Sequence, residues 1–542
     1  MVGGITMNNN KSKPYNKKSN RKPRGKQQNR NDTRCQDTEA KKDKMSSLND
    51  VSWYNKFPEL LESAGRIPFA KYPGMDIPFG KLYTKDTANS IEEVQAPAYG
   101  YPGFLEIDWV PSVGYSANNT SPISTAAKEL YAKVRAKFSG ALDEDAPDII
   151  MYLMALDSIF AYIGYLKRIY RALNTYSPTN TMFPDGVLKC MEITSAEAVA
   201  LRKDKTKFWG QINDLILQAS KFTCPDVMDI FSRHYWMSSN VYGDAPSSKA
   251  QFYVFNQTHF YEFDETGSTG GALTLISGPS EHTPDAYYEY GRSLISKLAA
   301  SDDAYTINGH LLRAFEGSAN FVVAKLEEDE LLDAVYVPEV LSQIHNIRSM
   351  NGSIKGSDFA ITQDPTTNAI IHVPKLTVNV GSTASMFQNG TFAGPNTTLL
   401  LDLMTYTPTA GDIAVATRLT TMAGDYDAQN HQFTLIGGTE IVWSMSIVYY
   451  DSTYGTPRAY AFSSIVSTLA DGSTAEQILQ TLGRLSAFDW HPLIYVAICS
   501  DGAITALYPC GDLYNPTVVG LDTMRDLHRV CVLSEFNAYG IS

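Results

Sequence analysis

The first 45 residues carry a charge opposite to that of the rest of the chain, and this limits what they can fold into. They contain 13 Lys and Arg against 4 Asp and Glu, a net charge of +9. The other 497 residues hold 32 basic and 54 acidic side chains, a net charge of −22. The cations are spaced mostly by Asn, Gln, Ser, Pro and Gly. Such a segment cannot bury enough apolar surface to offset the entropy of ordering, so we predict that residues 1–45 form a disordered arm.

The arm has the charge density of a segment that binds polyphosphate. Flexible cations neutralise phosphates and release counterions without contacting bases, so we expect nucleic acid to bind here without sequence preference. A localisation signal and a merely solvated tail are the alternatives. An acidic body would repel a polyanion, so the arm alone could tether it, as in a shell protein with an inward-pointing arm. The predicted RNA-binding residues are Lys11, Lys13, Lys17, Lys18, Arg21, Lys22, Arg24, Lys26, Arg30 and Arg34.

Residues 46–115 are rich in Pro, Gly and aromatic side chains, as in Ile67–Phe69 and Ile77–Gly80. Proline removes backbone donors and glycine permits tight bends, which favours an irregular segment. Long irregular segments are uncommon in compact monomers. We therefore predict a strap that lies across neighbouring subunits.

Beyond this segment, apolar spacing predicts helices. Leu130, Val134 and Phe138 share one helical face, and Asp148–Tyr176 is a long apolar stretch. Thr194 and Glu197 form a capping box that begins a helix running toward Phe222. Helical spacing returns at 226–237, 284–300 and 338–349. This half of the chain is therefore predicted to be mainly helical.

The pattern changes to short alternating runs near residue 352. Residues 355–455 contain 17 Thr and only 11 charged side chains, and turn signals separate their apolar runs. These runs predict strands at Ile370–Val373, Leu376–Val380, Thr398–Leu401, Ile413–Thr417 and Gln432–Ile436. A capping box at Ser473 and Glu476, a strand-like run at 492–499 and a helix at 522–534 follow. We predict an α+β fold in which a β-rich domain is inserted into a helical body.

Signatures of catalysis and of metal binding are missing from the sequence. It contains no G-x-S-x-G, H-E-x-x-H, G-x-x-x-x-G-K-[ST] or G-x-G-x-x-G motif. Its six cysteines include no C-x-x-C pair, and its nine histidines include no i, i+4 pair. We therefore predict no enzymatic activity, no cofactor and no metal site. A hydrolase assembled from distant residues is the alternative.

One apolar run is long enough to cross a membrane. Ile149–Leu166 spans 18 residues with a single charge, Asp157. A charge near the centre is costly in lipid, and a helix that is apolar all round is also typical of a buried core. We predict a core helix, with a membrane interaction after release of this helix as a secondary hypothesis.

The segment Asn49–Lys56, followed by Pro58–Leu60 and Ile67–Phe69, resembles the start of the folded part of picobirnavirus capsid proteins. The basic arm, the chain length and the late β-rich insertion are similar to that family as well. The resemblance implies a virion protein, assembled in the host cytoplasm, that forms symmetric dimers. Sixty dimers would make a T=1 icosahedral shell around double-stranded RNA.

The resemblance also implies a division into domains. A helix-rich shell domain would comprise residues 46–353 and 456–542, and a β-rich projecting domain residues 354–455. The competing interpretation is a cellular RNA-binding protein with an acidic globular body, which would never close into a particle.

Overall fold

The computed structural model describes residues 55–85, 91–96, 98–140, 142, 144–266, 270–349, 352–378, 398–451, 456–462, 465–468, 472–500 and 503–538. The predicted arm, residues 1–45, lies outside these ranges, and so do the ten predicted RNA-binding residues that it contains. Two compact units are present, residues 1–70 and residues 71–542. The described part of the first unit contains one helix, α1 (Pro58–Gly65), none of whose residues is buried.

The second unit contains both helices and strands, which confirms the predicted α+β class. Its helices are α2 Pro122–Arg135, α3 Ala146–Asn174, α4 Phe183–Cys190, α5 Ser195–Lys203, α6 Lys205–Ala219, α7 Asp229–Ser239, α8 Pro284–Ala299, α9 Asp302–Ala314, α10 Pro338–His345, α11 Ala410–Ala416, α12 Gly472–Leu485 and α13 Leu521–Glu535. Its strands are β1 Asp76–Ile77, β2 Lys81–Lys85, β3 Ile91–Gln95, β4 Tyr99–Gly100, β5 Phe104–Pro111, β6 Val241–Gly243, β7 Phe252–Gln257, β8 His259–Thr266, β9 Gly270–Ser277, β10 Ala334–Val335, β11 Thr362–Asp364, β12 Ala369–Ile371, β13 Lys375–Thr377, β14 Thr398–Asp402, β15 Met422–Asp427, β16 Gln432–Ile436, β17 Glu440–Asp451, β18 Thr456–Phe462, β19 Ile465–Thr468, β20 Ile494–Ser500, β21 Ala503–Cys510 and β22 Pro516–Gly520.

A six-stranded mixed sheet forms the centre of this unit, in the order β10-β6-β7-β5-β17-β18. Strand β5 pairs in parallel with β7 and antiparallel with β17. Every residue of β5 is buried, because apolar clusters cover both of its faces. The prediction that residues 46–115 form an irregular strap is therefore wrong for Phe104–Pro111. It is also wrong for β2 and β3, which pair as a hairpin.

Helix α3 is the core of the helical layer on one face of the sheet. It begins with a capping box formed by Asp145 and Asp148, with Pro147 in its first turn. Almost all of its side chains are buried, and it packs against α7, α2, α6 and β8. The helix predicted at Asp148–Tyr176 is thus confirmed. On the opposite face of the sheet, a second apolar cluster includes residues of α10 and α12.

The structure differs from the prediction in the type or the extent of several elements. Ile413–Thr417 was expected to be extended, but α11 covers most of it, because Thr409 and Asp412 form a capping box that alternation alone does not reveal. The helix predicted from Thr194 toward Phe222 is two helices, α5 and α6, separated at Asp204. Strands β6 to β9 also lie in the half that was predicted to be mainly helical. The run Leu376–Val380 is described only as far as residue 378.

The predicted boundaries at 353/354 and 455/456 do not separate compact units. Strand β17 lies within 354–455, yet it pairs with β5 in the central sheet. Strand β14 likewise pairs with β22. The boundary at 455 falls between β17 and β18, which form one antiparallel pair. These long-range ladders are invisible to local composition. Which residues project from a shell stays a prediction.

Candidate assembly surface and buried ion network

The hairpin of β2 and β3 carries several exposed apolar side chains. Leu82 pairs with Val94 across the two strands, and the two side chains are 56% and 40% exposed. Tyr83 and Ile91 are 76% and 74% exposed. An isolated two-stranded hairpin is only marginally stable in water, and a cluster of exposed apolar side chains marks an interaction surface. We name these two strands, Lys81–Lys85 and Ile91–Gln95, the apolar hairpin.

The first unit offers a second apolar surface. Its helix α1 is amphipathic, but none of its residues is buried. The side chains exposed on and beside this helix are Phe57, Leu60, Leu61, Ile67 and Phe69. Exposed apolar side chains at this density are typical of a segment that is covered in an assembly.

A chain of buried ionisable groups begins at the core helix. Asp157 of α3 accepts a hydrogen bond from His234 of α7, with Oδ2 and Nδ1 2.7 Å apart, and both side chains are inaccessible to solvent. The other ring nitrogen of His234 lies 3.6 Å from Oε1 of Glu440, at the start of β17. Arg233 donates from Nε to the same Glu440 oxygen and from Nη2 to Gln343, at 2.8 Å.

The chain continues to the C-terminal helix. Arg418 donates to Glu535 of α13, and its Nη2 lies 3.7 Å from Oε1 of Glu440. Glu440 therefore lies between two guanidinium groups and a histidine. We name Asp157, His234, Arg233, Glu440, Arg418 and Glu535 the buried ion network. It connects α3, α7, β17 and α13 across the core.

The pKa values in the network follow from this arrangement. Burial alone would raise the pKa of Glu440, but Arg233 and Arg418 hold it well below its usual range. Burial alone would lower the pKa of His234, but the carboxylates of Asp157 and Glu440 raise it to about 9. Burial raises the pKa of Asp157, although His234 opposes this shift. At neutral pH Glu440 is therefore ionised and His234 protonated, in contact with the guanidinium groups of Arg233 and Arg418. Removing one partner would leave the others as buried, unpaired charges.

Helix α3 contains the apolar run that is long enough to cross a membrane. Among the helices of the described ranges, it is the one that is long and apolar enough to cross a bilayer, and its most apolar 18 residues are entirely buried. The charge that interrupts the run, Asp157, is paired with His234. The prediction of a buried core helix is confirmed.

The structure brings together residues that no sequence pattern had connected. The ten predicted RNA-binding cations lie outside the described residues, so their placement is untested. Across the described ranges, no group of three or more His, Cys, Asp or Glu side chains could hold a metal ion. The buried ion network was missed because its partners lie far apart in sequence: His234 is 77 residues from Asp157, and Arg233 is 207 residues from Glu440. The adjacent residues Arg233 and His234 match no sequence motif that would predict a buried ion pair.

The chain is similar to viral capsid proteins in both sequence and fold. The model of the picobirnavirus capsid protein family matches residues 53–456. The capsid protein precursor of human picobirnavirus (strain Human/Thailand/Hy005102/-) is 27% identical over 522 residues, which cover 91% of each chain. The crystal structure of the picobirnavirus capsid shares the fold, with a TM-score of 0.74, 19% identity, and coverage of 91% of this chain and 100% of that chain. Because the family match spans well over half of its length, the chain belongs to the picobirnavirus capsid protein family and is a viral structural protein.

Proposed function

We propose that the chain forms symmetric dimers, that 60 dimers close into a T=1 shell, and that the arm holds double-stranded RNA inside it. The proposal that the arm binds RNA rests on the opposite net charges of residues 1–45, at +9, and of the rest of the chain, at −22. Assembly would take place in the host cytoplasm. The part of the subunit that projects outwards would be residues 354–455, apart from β17, which belongs to the central sheet.

The arms are suited to tethering RNA rather than to neutralising it. In a shell of 120 copies, arms of net charge +9 would supply 1,080 positive charges. A duplex that encodes 542 residues has 1,626 base pairs and therefore 3,252 phosphates. The arms would balance about a third of this charge, and small cations would have to balance the rest.

A structural role without enzymatic activity agrees with the described polar contacts. Ser112 and His372 form a hydrogen bond of 3.1 Å between Oγ and Nε2, as a hydrolase would require. Both residues are completely buried, so an external substrate cannot reach them. A membrane interaction of α3 would first require the helix to leave the core and expose Asp157 and His234. The buried ion network opposes that step.

Shell formation can be tested by electron microscopy of the purified recombinant chain beside a chain lacking residues 1–45. Closed particles are expected from both, because the apolar contact surfaces lie in the body and the arm contributes only charge. Small oligomers in both samples would contradict the shell proposal and favour the cellular RNA-binding interpretation.

The apolar hairpin should be needed for contacts between subunits. We expect Leu82→Asp combined with Val94→Asp to prevent particle formation while the melting temperature of the subunit changes little, because both side chains are exposed in the single chain. The conservative pair Leu82→Ile and Val94→Ile should assemble normally. Thermal melts and size-exclusion chromatography measure the two effects. Normal particles from the Asp pair would remove the apolar hairpin from the interface.

A further inference from the structure

Two carboxylates are buried side by side in the middle of the central sheet. Glu106 and Asp108 lie on β5 and are 5% and 8% exposed. Alternate residues of a strand point to the same face, so the two side chains share a face with Phe104 and Val110. Those apolar residues belong to the cluster built around α3. Glu106 and Asp108 therefore lie between the central sheet and the helical layer.

The neighbouring strands supply neutral partners to this pair. In the ladder with β7, Asn256 is opposite Asp108, and its Nδ2 donates to Oδ1 of Asp108 at 3.0 Å. In the ladder with β17, Ser444 is opposite Asp108 and Ser446 is opposite Glu106. Asn256 also hydrogen-bonds to Glu106, and Ser444 to Asp108. Amides and hydroxyls can bond to a carboxyl group in either protonation state, so they do not force it to ionise.

Ionisable groups reach the pair from the packed helices as well. Helix α4 contributes Lys189 and Cys190, and Glu192 follows that helix with a positive φ of 61°. Helix α3 contributes Tyr165, and Arg168 lies close to Cys190. Lys189 favours ionisation of Glu106, whereas Glu192 opposes it. No ion pair within the described ranges joins a cation to Glu106 or Asp108, in contrast to the buried ion network.

Two adjacent buried carboxylates without a paired cation cannot both ionise at low cost. Burial raises the pKa of Asp108 to about 7. Burial and the neighbouring Asp108 raise the pKa of Glu106 well above its usual range. The folded chain thus keeps protons that the unfolded chain has lost. The stability that these protons supply is fully present below the unfolded pKa of about 4 and is lost as the pH rises through about 7.

We propose that Glu106 and Asp108 form a proton-dependent lock between the central sheet and the helical layer, which holds in mild acid and loosens above neutral pH. When both groups ionise, the repulsion between them acts where β5, α3 and α4 meet. The subunit should then open locally there before it unfolds as a whole. This inference concerns the folded subunit and does not depend on shell formation.

The lock can be tested by thermal melts of the full-length protein at pH 5 and pH 8, a range that includes most of the predicted loss. The melting temperature of the unmodified protein should fall over this range by about twice as much as that of Glu106→Gln combined with Asp108→Asn. The remaining fall in the variant would reflect other groups, among them His234 with its pKa of about 9. The exposed control Glu316→Gln, which lies outside the proposed contact surfaces, should behave like the unmodified protein. Equal falls in the unmodified protein and the double variant would overturn the proposal.

A second measurement does not need the double variant to fold. Infrared spectroscopy of the unmodified protein should show a protonated-carboxyl band at pH 6 that is lost by pH 9. The single variant Asp108→Asn should lose part of this change. Absence of the band at pH 6, or an unchanged band in Asp108→Asn, would show that the pair does not hold the proton.

Discussion

A chain in which the ten cations between positions 11 and 34 are replaced by glutamine is expected to form closed particles without RNA. The substitutions remove the attraction for phosphate and leave the acidic body, which repels RNA. Absorbance at 260 and 280 nm of gradient-purified particles, together with extraction of nuclease-resistant RNA, measures the content. We expect RNA to fall to the background of an empty shell.

The matched control is an arm with residues 11–34 in scrambled order. It keeps the composition and charge of the arm, so a partner bound without sequence preference should be packaged as before. Loss of RNA from the scrambled arm would show that a sequence motif is read. Unchanged RNA in the glutamine variant would assign RNA binding to the body.

Substituting an aspartate for Ile163 is expected to prevent the subunit from folding stably. Ile163 is 1% exposed in the middle of α3. A carboxyl group there would lose its hydration among the apolar side chains of the core, at a cost of about 3–5 kcal/mol. This is a large part of the stability of a typical domain. Denaturant unfolding, soluble yield and particle counts should all fall.

The control for this substitution is Leu217→Asp. Leu217 lies on α6, where it is 65% exposed, so the same change of side chain should alter stability little. The conservative change Ile163→Val should cost only about 0.5–1.5 kcal/mol. Normal particles from Ile163→Asp would contradict the core assignment of α3.

The sequence was sufficient to predict elements whose signal is local. Helices α3 and α13 follow from apolar spacing, and the start of α5 follows from the capping box of Thr194 and Glu197. Strand β5 was missed because Glu106 and Asp108 interrupt its apolar run with charges that normally face water. Its role at the centre of the sheet depends on β17, which no local pattern connects to it.

The candidate sites also differ in whether their signal is local in the sequence or depends on long-range contacts. The arm is predicted from composition alone, and it stays a prediction because residues 1–45 lie outside the described ranges. The apolar hairpin lies within residues 46–115, the segment that was predicted to be a strap. Its two strands were not recognised, because the Pro and Gly residues of this segment favoured an irregular structure. The buried ion network depends on tertiary contacts between distant residues, such as Arg233 and Glu440. Charged residues at such positions resemble surface residues until the fold buries them.

The central sheet cannot be completed until long after its strand β5 has been synthesised. Pro111 at the end of β5 pairs with Glu440, which the ribosome adds 329 residues later. At 5–20 residues per second, this interval lasts roughly 15–65 s. Residues 1–45 precede β5 in the chain, so they are synthesised while the sheet still lacks β17 and β18.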